Sequence, residues 1–82
     1  MKIVIVDDDR AAADALAQKL SAFDETQLCG IALNGMDGLR LVNETRPDVL
    51  FLDIELPDIS GIEFLEPANI QPQYKCRKVM YT

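Results

Sequence analysis

The sequence contains two short runs of apolar residues that each end in an aspartate. Residues 2–6 read KIVIV and precede Asp7, and residues 49–52 read VLFL and precede Asp53. The apolar residues are continuous rather than alternating with polar ones, which is typical of a strand buried on both faces. Such strands occur in parallel sheets that helices cover on both sides. The two runs therefore predict inner strands of a parallel sheet, each followed by a carboxylate.

A helix and a weaker strand are predicted between these two runs. Apolar residues recur at intervals of three or four, the spacing that places them on one face of a helix. They are Ala12, Leu16, Leu20 and Phe23. Residues 27–32 (QLCGIA) predict a second strand. Gly30 places this strand near an edge of the sheet, because glycine weakens a strand interior.

Two capping patterns predict the starts of further helices. Asn34 with Asp37 opens a helix over about residues 35–45. Its apolar stripe is Met36, Leu39 and Val42. Ser60 with Glu63 forms a capping box that opens a third, shorter helix.

Residues 78–82 (KVMYT) predict a fourth strand, on which the sequence ends. Strands that alternate with helical connections form a parallel α/β sheet through right-handed crossovers, with helices on both faces. We therefore expect one α/β domain over residues 1–82. The far edge of the fourth strand would lack a neighbour, and an open apolar edge favours pairing with other chains. We expect either that these residues are a fragment of a longer chain or that partner molecules cover this edge.

The composition excludes several classes of function. The 14 acidic and 8 basic side chains give a net charge of −6, which is unsuited to nucleic-acid binding because Lys and Arg neutralise phosphates. The sequence contains no histidine, which excludes Ser-His hydrolysis, Cys-His proteolysis and histidine-ligated zinc. Cys29 and Cys76 lie far apart without a CxxC spacing. No apolar segment has the length of a secretory leader or a membrane span, so we expect reduced thiols and a cytoplasmic protein.

Three aspartates follow the two buried strands. Asp7 and Asp8 come after the first strand, and Asp53 comes after the third. Ligands of open parallel sheets bind beyond the carboxyl ends of the strands, and neighbouring strands lie about 4.8 Å apart. If these two strands are neighbours, the carboxylates converge and repel one another unless a cation lies between them. Mg²⁺ prefers oxygen ligands of this kind, so the sequence predicts a magnesium site.

A structural explanation also exists for aspartates in these positions. An aspartate after a strand can cap the following helix, and Asp9, one residue nearer the helix, is best explained in this way. Asp7 and Asp8 taken alone leave both capping and metal binding open. Asp53 favours metal binding, because a second strand then also ends in a carboxylate and is followed by a turn that contains Pro57.

Three segments give the sequence a family resemblance. They are IVIVDDD at residues 3–9, LFLDIELPDISGIEFL at residues 50–65 and VMYT at residues 79–82. In these segments the chain resembles a response-regulator receiver domain of two-component signalling. The resemblance covers about two-thirds of a receiver, which has a flavodoxin-like parallel sheet of strand order 2-1-3-4-5. It implies that the first four strands and three helices are present and that the final helix-strand-helix part is absent.

The resemblance also implies a role for each candidate residue. Asp7, Asp8 and Asp53 would bind Mg²⁺, and the backbone carbonyl of Glu55 would be a further ligand. Asp53 would accept a phosphoryl group from a histidine kinase or a phosphotransfer protein. Thr82 would donate a hydrogen bond to that group and begin a conformational switch. The expected role is therefore signalling rather than enzymatic turnover, with transcription regulation as the output.

The chain also departs from a complete receiver. The phosphate-binding lysine and the switch aromatic residue of the family lie on or just before a fifth strand. Lys75 and Lys78 precede or begin the fourth strand, so neither can take the role of that lysine. Residues 79–81 are interpreted as core or edge packing. We expect the isolated 82 residues to be phosphorylated poorly.

Two other functions remain as alternatives. Haloacid-dehalogenase-type phosphatases place an Asp-x-Asp pair after their first strand, as Asp7 and Asp9 do here. Ala11 departs from the Thr or Val of that motif. A non-phosphorylated interaction module would instead complete its sheet as a homodimer or as an oligomer that exchanges elements. Magnesium distinguishes this module from a receiver, since a genuine acidic site gains stability from the ion.

Overall fold

The structure is a computed structural model that describes residues 1–71 and 74–81. Four strands lie in these ranges, and they are β1 (Lys2–Val6), β2 (Gln27–Ala32), β3 (Val49–Asp53) and β4 (Arg77–Tyr81). The helices between them are α1 (Arg10–Leu20), α2 (Gly35–Thr45) and α3 (Gly61–Phe64). The predicted alternation of strands and helices is confirmed. Within the same ranges, no helix has the length and apolar character needed to cross a membrane.

All neighbouring strands are parallel and follow the order β2-β1-β3-β4. β1 and β3 are therefore the inner strands, as their uninterrupted apolar sequences predict. Val6 lies opposite Leu52 in the register of these two strands, so that both strands end side by side. β2 forms one edge of the sheet, as its glycine predicts, and β4 forms the other.

The side chains of the inner strands are buried on both faces of the sheet. One buried cluster includes residues of α2 and α3 and consists of Val4, Val6, Ala32, Val42, Leu50, Leu52, Phe64 and Ile70. The other includes a residue of α1 and consists of Ile3, Ile5, Ala13 and Val49. Successive residues of a strand point to opposite faces, so a continuous apolar run fills both clusters. This packing fixes the strand ends from which the acidic residues emerge.

Side-chain caps begin all three helices. Asp9, Asn34 and Ser60 precede α1, α2 and α3, and each accepts a hydrogen bond from an N–H group of the first helical turn. These N–H groups have no partner inside a helix, so the caps define where each helix begins. The three capping residues predicted from the sequence are confirmed.

Two apolar residues that helical spacing assigned to buried faces are exposed. Phe23 is 64% exposed, because α1 ends at Leu20 and Phe23 lies in the turn that follows. Met36 is 56% exposed, because the buried residues of α2 are Gly35, Gly38 and Val42, and Gly38 lies against Val6 of β1. The spacing of apolar residues therefore does not show where a helix ends or which glycines approach the sheet.

The fourth strand begins one residue earlier than predicted, at Arg77. Thr82, the predicted last residue of this strand, lies outside the described residues. Val79 and Met80 are exposed, so of the two interpretations, core or edge packing, the structure agrees with edge packing. The carboxyl end of the described strand is Tyr81, which lies beside the end of β3.

Candidate metal centre

Asp7, Asp8 and Asp53 meet beyond the carboxyl ends of β1 and β3. Val6 pairs with Leu52 in the parallel register, so the residues that follow them leave the sheet at the same place. One carboxylate oxygen from each of the three aspartates lies within 4.8 Å of those from the other two. The convergence expected from the two strand ends is therefore present in the structure.

The carboxylate cluster is open to solvent on one side. Asp7 and Asp53 are buried, with exposed fractions of 3% and 8%, whereas Asp8 is exposed. All three line a cleft of about 500 Å³. The other residues of its wall are Asp9, Ala12, Glu55 and Tyr81. A small ion can therefore reach the carboxylates without disturbing the core.

Backbone N–H groups orient the two buried carboxylates. Asp7 Oδ1 accepts a hydrogen bond of 2.9 Å from the N–H of Asp9. Asp53 Oδ1 accepts one of 2.9 Å from the N–H of Glu55. Each aspartate thus bonds to the backbone two residues further along the chain, a pattern that stabilises the start of a loop. One oxygen of each buried carboxylate is therefore fixed by the chain itself.

The electrostatics of the cleft disfavour three ionised carboxylates. Burial raises the pKa of Asp53, against the opposing effect of the hydrogen bond from Glu55. The negative charges of Asp7 and Asp8 raise this pKa further. A divalent cation has the reverse effect, because it attracts every carboxylate that faces it. Carboxylates at a solvent-accessible cleft are the donors that suit Mg²⁺, so the residues present fit this ion.

Tyr81 belongs to the cleft, a role that its interpretation as core or edge packing did not include. Its hydroxyl group donates a hydrogen bond of 2.9 Å to Asp7 Oδ2. Burial raises the pKa of Tyr81, and the hydrogen bond to Asp7 raises it further, so the phenol keeps its proton and remains a donor. The signal lay in the strand register, since Tyr81 pairs with Asp53. A tyrosine at the end of the strand beside β3 can reach the carboxylates.

The other predicted site residues differ in what the structure shows of them. The carboxylate of Asp9 caps α1. Glu55 lines the cleft and donates its N–H to Asp53, while the role of its carbonyl as a metal ligand stays a prediction. Thr82 lies outside the described residues, so its contact with a phosphoryl group also stays a prediction. Lys78 is the second residue of β4 and lies toward the end of the strand that is remote from the cleft.

A further aspartate, Asp58, holds the loop after β3 and was not identified from the sequence. Its carboxylate oxygens accept hydrogen bonds of 2.7 and 2.8 Å from the N–H groups of Gly35 and Met36. Although burial opposes the ionised form, these bonds lower the pKa of Asp58. The contact joins the loop to the start of α2. Local spacing gives no signal for it, because the partners lie 23 and 22 positions away.

The chain matches the description of a response regulator receiver domain over residues 3–82. It therefore belongs to the response regulator receiver domain family, whose members act in two-component signalling. The strand order β2-β1-β3-β4 is the corresponding part of a flavodoxin-like sheet. The family and the fold class predicted from the sequence are both confirmed.

Similar proteins include response regulators and a solved receiver domain. The chain is 42% identical over 65 residues to an uncharacterized response regulatory protein of Vibrio cholerae, a match that covers 79% of this chain and 27% of that protein. It is 40% identical over 75 residues to the transcriptional regulatory protein BtsR of Escherichia coli, covering 92% of this chain and 30% of BtsR. The response regulator domain of CheB from Thermotoga maritima matches with a TM-score of 0.85 at 26% identity, over 98% of this chain and 58% of that one. The chain thus spans less than a third of the length of these two curated relatives.

Proposed function

We propose that Asp53 accepts a phosphoryl group from a histidine kinase or a phosphotransfer protein in a magnesium-dependent reaction. The observation that carries this proposal is the convergence of Asp7, Asp8 and Asp53 within 4.8 Å at an open cleft. Of the three, Asp53 is the last residue of β3, where the family resemblance places the acceptor. We assign the ion to these carboxylates and to the backbone carbonyl of Glu55, with water completing its coordination.

The proposed chemistry is an in-line displacement at phosphorus. A carboxylate oxygen of Asp53 forms the new bond to phosphorus, while the bond from phosphorus to the imidazole nitrogen of the donor breaks. A bound magnesium ion supplies neutralisation of the charge on the phosphoryl oxygens. Glu55 fixes one oxygen of Asp53, and Tyr81 fixes one oxygen of Asp7. The chain therefore orients the cleft before a phosphoryl donor arrives, which lowers the entropic part of the barrier.

We further propose that phosphorylation operates a switch within a longer response regulator in the cytoplasm. Thr82 would donate a hydrogen bond to the phosphoryl group and bias the domain between two conformations. BtsR is named a transcriptional regulatory protein, which supports control of transcription as the output. Residues 1–82 would form the first two-thirds of the receiver and act in signalling rather than catalysis. The net charge of −6 argues against DNA binding by these residues themselves.

The two alternative functions have less support. A haloacid-dehalogenase-type site would need Asp9 beside Asp7 as a functional pair, but the carboxylate of Asp9 caps α1. An interaction module without phosphorylation does not explain why three carboxylates converge at a cleft against their mutual repulsion. Pairing of two copies through the edge of β4 stays a prediction and is compatible with the proposed phosphorylation.

Phosphorylation can be tested by incubating the protein with acetyl phosphate and Mg²⁺ and measuring its intact mass. We expect a fraction of the wild type to gain one phosphoryl group, and we expect no addition on Asp53→Asn or after the metal is chelated. Asp24→Asn is the matched control, because it removes the same charge from an exposed position outside the cleft. Since we expect slow reaction of these residues in isolation, the incubation extends over hours. Labelling that survives Asp53→Asn would reject the proposed acceptor.

A further inference from the structure

The loop between β3 and α3, residues 54–60, is anchored at two places. Near its start, the N–H of Glu55 donates a hydrogen bond of 2.9 Å to Asp53 Oδ1. Near its end, Asp58 accepts hydrogen bonds of 2.7 and 2.8 Å from the first two N–H groups of α2. The 54–60 loop therefore connects the candidate metal centre to a helix that supplies none of its proposed ligands.

Between these anchors the 54–60 loop folds back on itself. Glu55 and Ser60 form an antiparallel bridge, and the N–H of Gly61 donates a hydrogen bond of 3.0 Å to the carbonyl of Ile54. The acceptor of this hydrogen bond from Gly61 is the carbonyl of Ile54 and not the carbonyl of Glu55, the proposed metal ligand. A Cβ added to Gly61 would lie 2.7 Å from Ile54 Cα, so the two sides of the loop are in close contact. These contacts link the two sides of the loop, so an anchor on one side also affects the position of the other.

The packing of Gly35 is a second observation that fixes the loop on α2. A Cβ added at this glycine would lie 2.3 Å from Ile59 Cγ1 and 3.0 Å from Asp58 Oδ1. A contact of 2.3 Å is too short for a real side chain, so a larger residue at position 35 must displace the Ile59 side chain or the loop that carries it. Hydrogen bonding and packing therefore hold the same part of the loop against the same helical turn.

The start of α2 has two side-chain caps, which differ in origin. Asn34 directly precedes the helix and accepts a hydrogen bond of 2.9 Å from the N–H of Asp37. Asp58 caps the same turn from 22 and 23 positions away. Of these two caps, Asp58 alone belongs to the 54–60 loop. Substitutions at Asn34 and Asp58 therefore separate the stability of the helix from the placement of the loop.

We propose that Asp58 is a positioning residue for the magnesium site, because it fixes the 54–60 loop on α2 and thereby holds Glu55 and Asp53 in the arrangement that binds the ion. This role rests on the proposed function, since it concerns the same site. A loop that is mobile without metal must be ordered when the ion binds, and the cost of this ordering lowers affinity. The Asp58 anchor removes that freedom beforehand.

Calorimetric titration with Mg²⁺ tests this role by comparing Asp58→Ala with Asn34→Ala, at a temperature where both variants are folded. Both substitutions remove a cap from α2, but only the first releases the loop. We expect Asp58→Ala to raise the Kd for Mg²⁺ about tenfold, at the lower end of the effect of residues behind metal ligands. We expect Asn34→Ala to change it by less than about twofold. An unchanged Kd in Asp58→Ala, or equal weakening in both variants, would overturn the proposal.

Two further variants keep the proposal testable if Asp58→Ala is poorly folded. Asp58→Asn keeps the shape of the side chain and one acceptor oxygen, so its Kd for Mg²⁺ should lie between those of the wild type and Asp58→Ala. Gly35→Ala displaces Ile59 and should weaken Mg²⁺ binding while leaving the carboxylate of Asp58 in place. Wild-type affinity in both variants would contradict the proposed role of the anchor.

Amide hydrogen exchange without Mg²⁺ gives a readout that does not depend on the metal. The N–H of Gly61, which bonds to Ile54, should exchange faster in Asp58→Ala and at the wild-type rate in Asn34→Ala. Unchanged exchange in Asp58→Ala would show that the loop is held without the anchor. The proposed function fails in a different way, namely if the wild type and Asp53→Asn bind Mg²⁺ equally well.

Discussion

Replacement of Asp53 by asparagine should stabilise the protein without Mg²⁺ and reverse its order of stability with the wild type when Mg²⁺ is added. The charge of Asp53 lies within 4.8 Å of the carboxylate oxygens of Asp7 and Asp8. Asparagine has nearly the same shape and keeps an oxygen that can accept the N–H of Glu55. The substitution therefore removes repulsion without creating a cavity.

The expected stabilisation follows from Coulomb's law. At 4.8 Å, the largest separation among these oxygens, two unit charges repel by about 1 kcal/mol in water and by about 3.5 kcal/mol at an effective dielectric constant of ~20. Asp7 is buried and Asp8 is exposed, so the cleft lies between these limits. We expect Asp53→Asn to raise the free energy of unfolding by about 1–3 kcal/mol in the absence of Mg²⁺. For a chain of this size, each kcal/mol corresponds to a change in Tm of about 4–8 °C.

Magnesium should reverse this order of stability. At an ion concentration of about 100 times Kd, binding adds about 2.7 kcal/mol to the free energy of unfolding of the wild type. Asp53→Asn lacks one charged ligand and should gain less. Thermal unfolding of both proteins, first in a chelator and then at increasing Mg²⁺ concentration, should give two curves of Tm that cross.

Asp24→Asn is the control for net charge, because this exposed residue lies outside the cleft. Its Tm should follow that of the wild type at every Mg²⁺ concentration. Repulsion among the carboxylates is not significant if Asp53→Asn has a lower Tm than the wild type in chelator. The metal site is wrongly assigned if Mg²⁺ raises the Tm of the wild type and of Asp53→Asn by the same amount.

Three further predictions concern the hydrogen bond to Asp7, the core and the effect of pH. Tyr81→Phe removes a donor from the buried Asp7 and should lower the free energy of unfolding by about 1–2 kcal/mol in a urea titration; an unchanged midpoint would show that the bond contributes nothing. Phe64→Ala, at a fully buried position, should lower this free energy by about 3–5 kcal/mol, whereas Phe23→Ala, at an exposed one, should change it by less than about 0.5 kcal/mol. Equal effects of the two phenylalanine substitutions would contradict the packing. Burial and the neighbouring carboxylates raise the pKa of Asp53. The ionised side chain therefore destabilises the folded protein above this raised pKa. The destabilisation is lost as the pH falls through the pKa and the side chain takes up a proton. The stability difference between Asp53→Asn and the wild type without Mg²⁺ should therefore shrink on acidification, and a growing difference would contradict this sign.

The fold could be predicted from the sequence because its main signals are local. A continuous apolar run identifies an inner strand by itself, and a capping residue such as Asn34 marks the start of a helix by itself. The exposure of Phe23 and Met36 could not be predicted in this way. It depends on where α1 ends and on which residues of α2 approach the sheet, and both are properties of the packed structure rather than of helical spacing.

The site could be predicted only in part, and the residues that were missed share one physical reason. Asp7 and Asp8 follow β1 and Asp53 ends β3. The sequences of both strands show that they are buried, so the convergence needs only the further condition that the two strands are neighbours. Tyr81 and Asp58 act on partners that lie 74 and 22 to 23 positions away. Tyr81 reaches Asp7 because β4 pairs with β3, and Asp58 reaches α2 because the 54–60 loop turns back toward it. At the carboxyl edge of a parallel sheet, the residues that end neighbouring strands lie side by side. The residue that pairs with a candidate aspartate in the next strand is therefore the first candidate for a contact with the site, as Tyr81 is for Asp53.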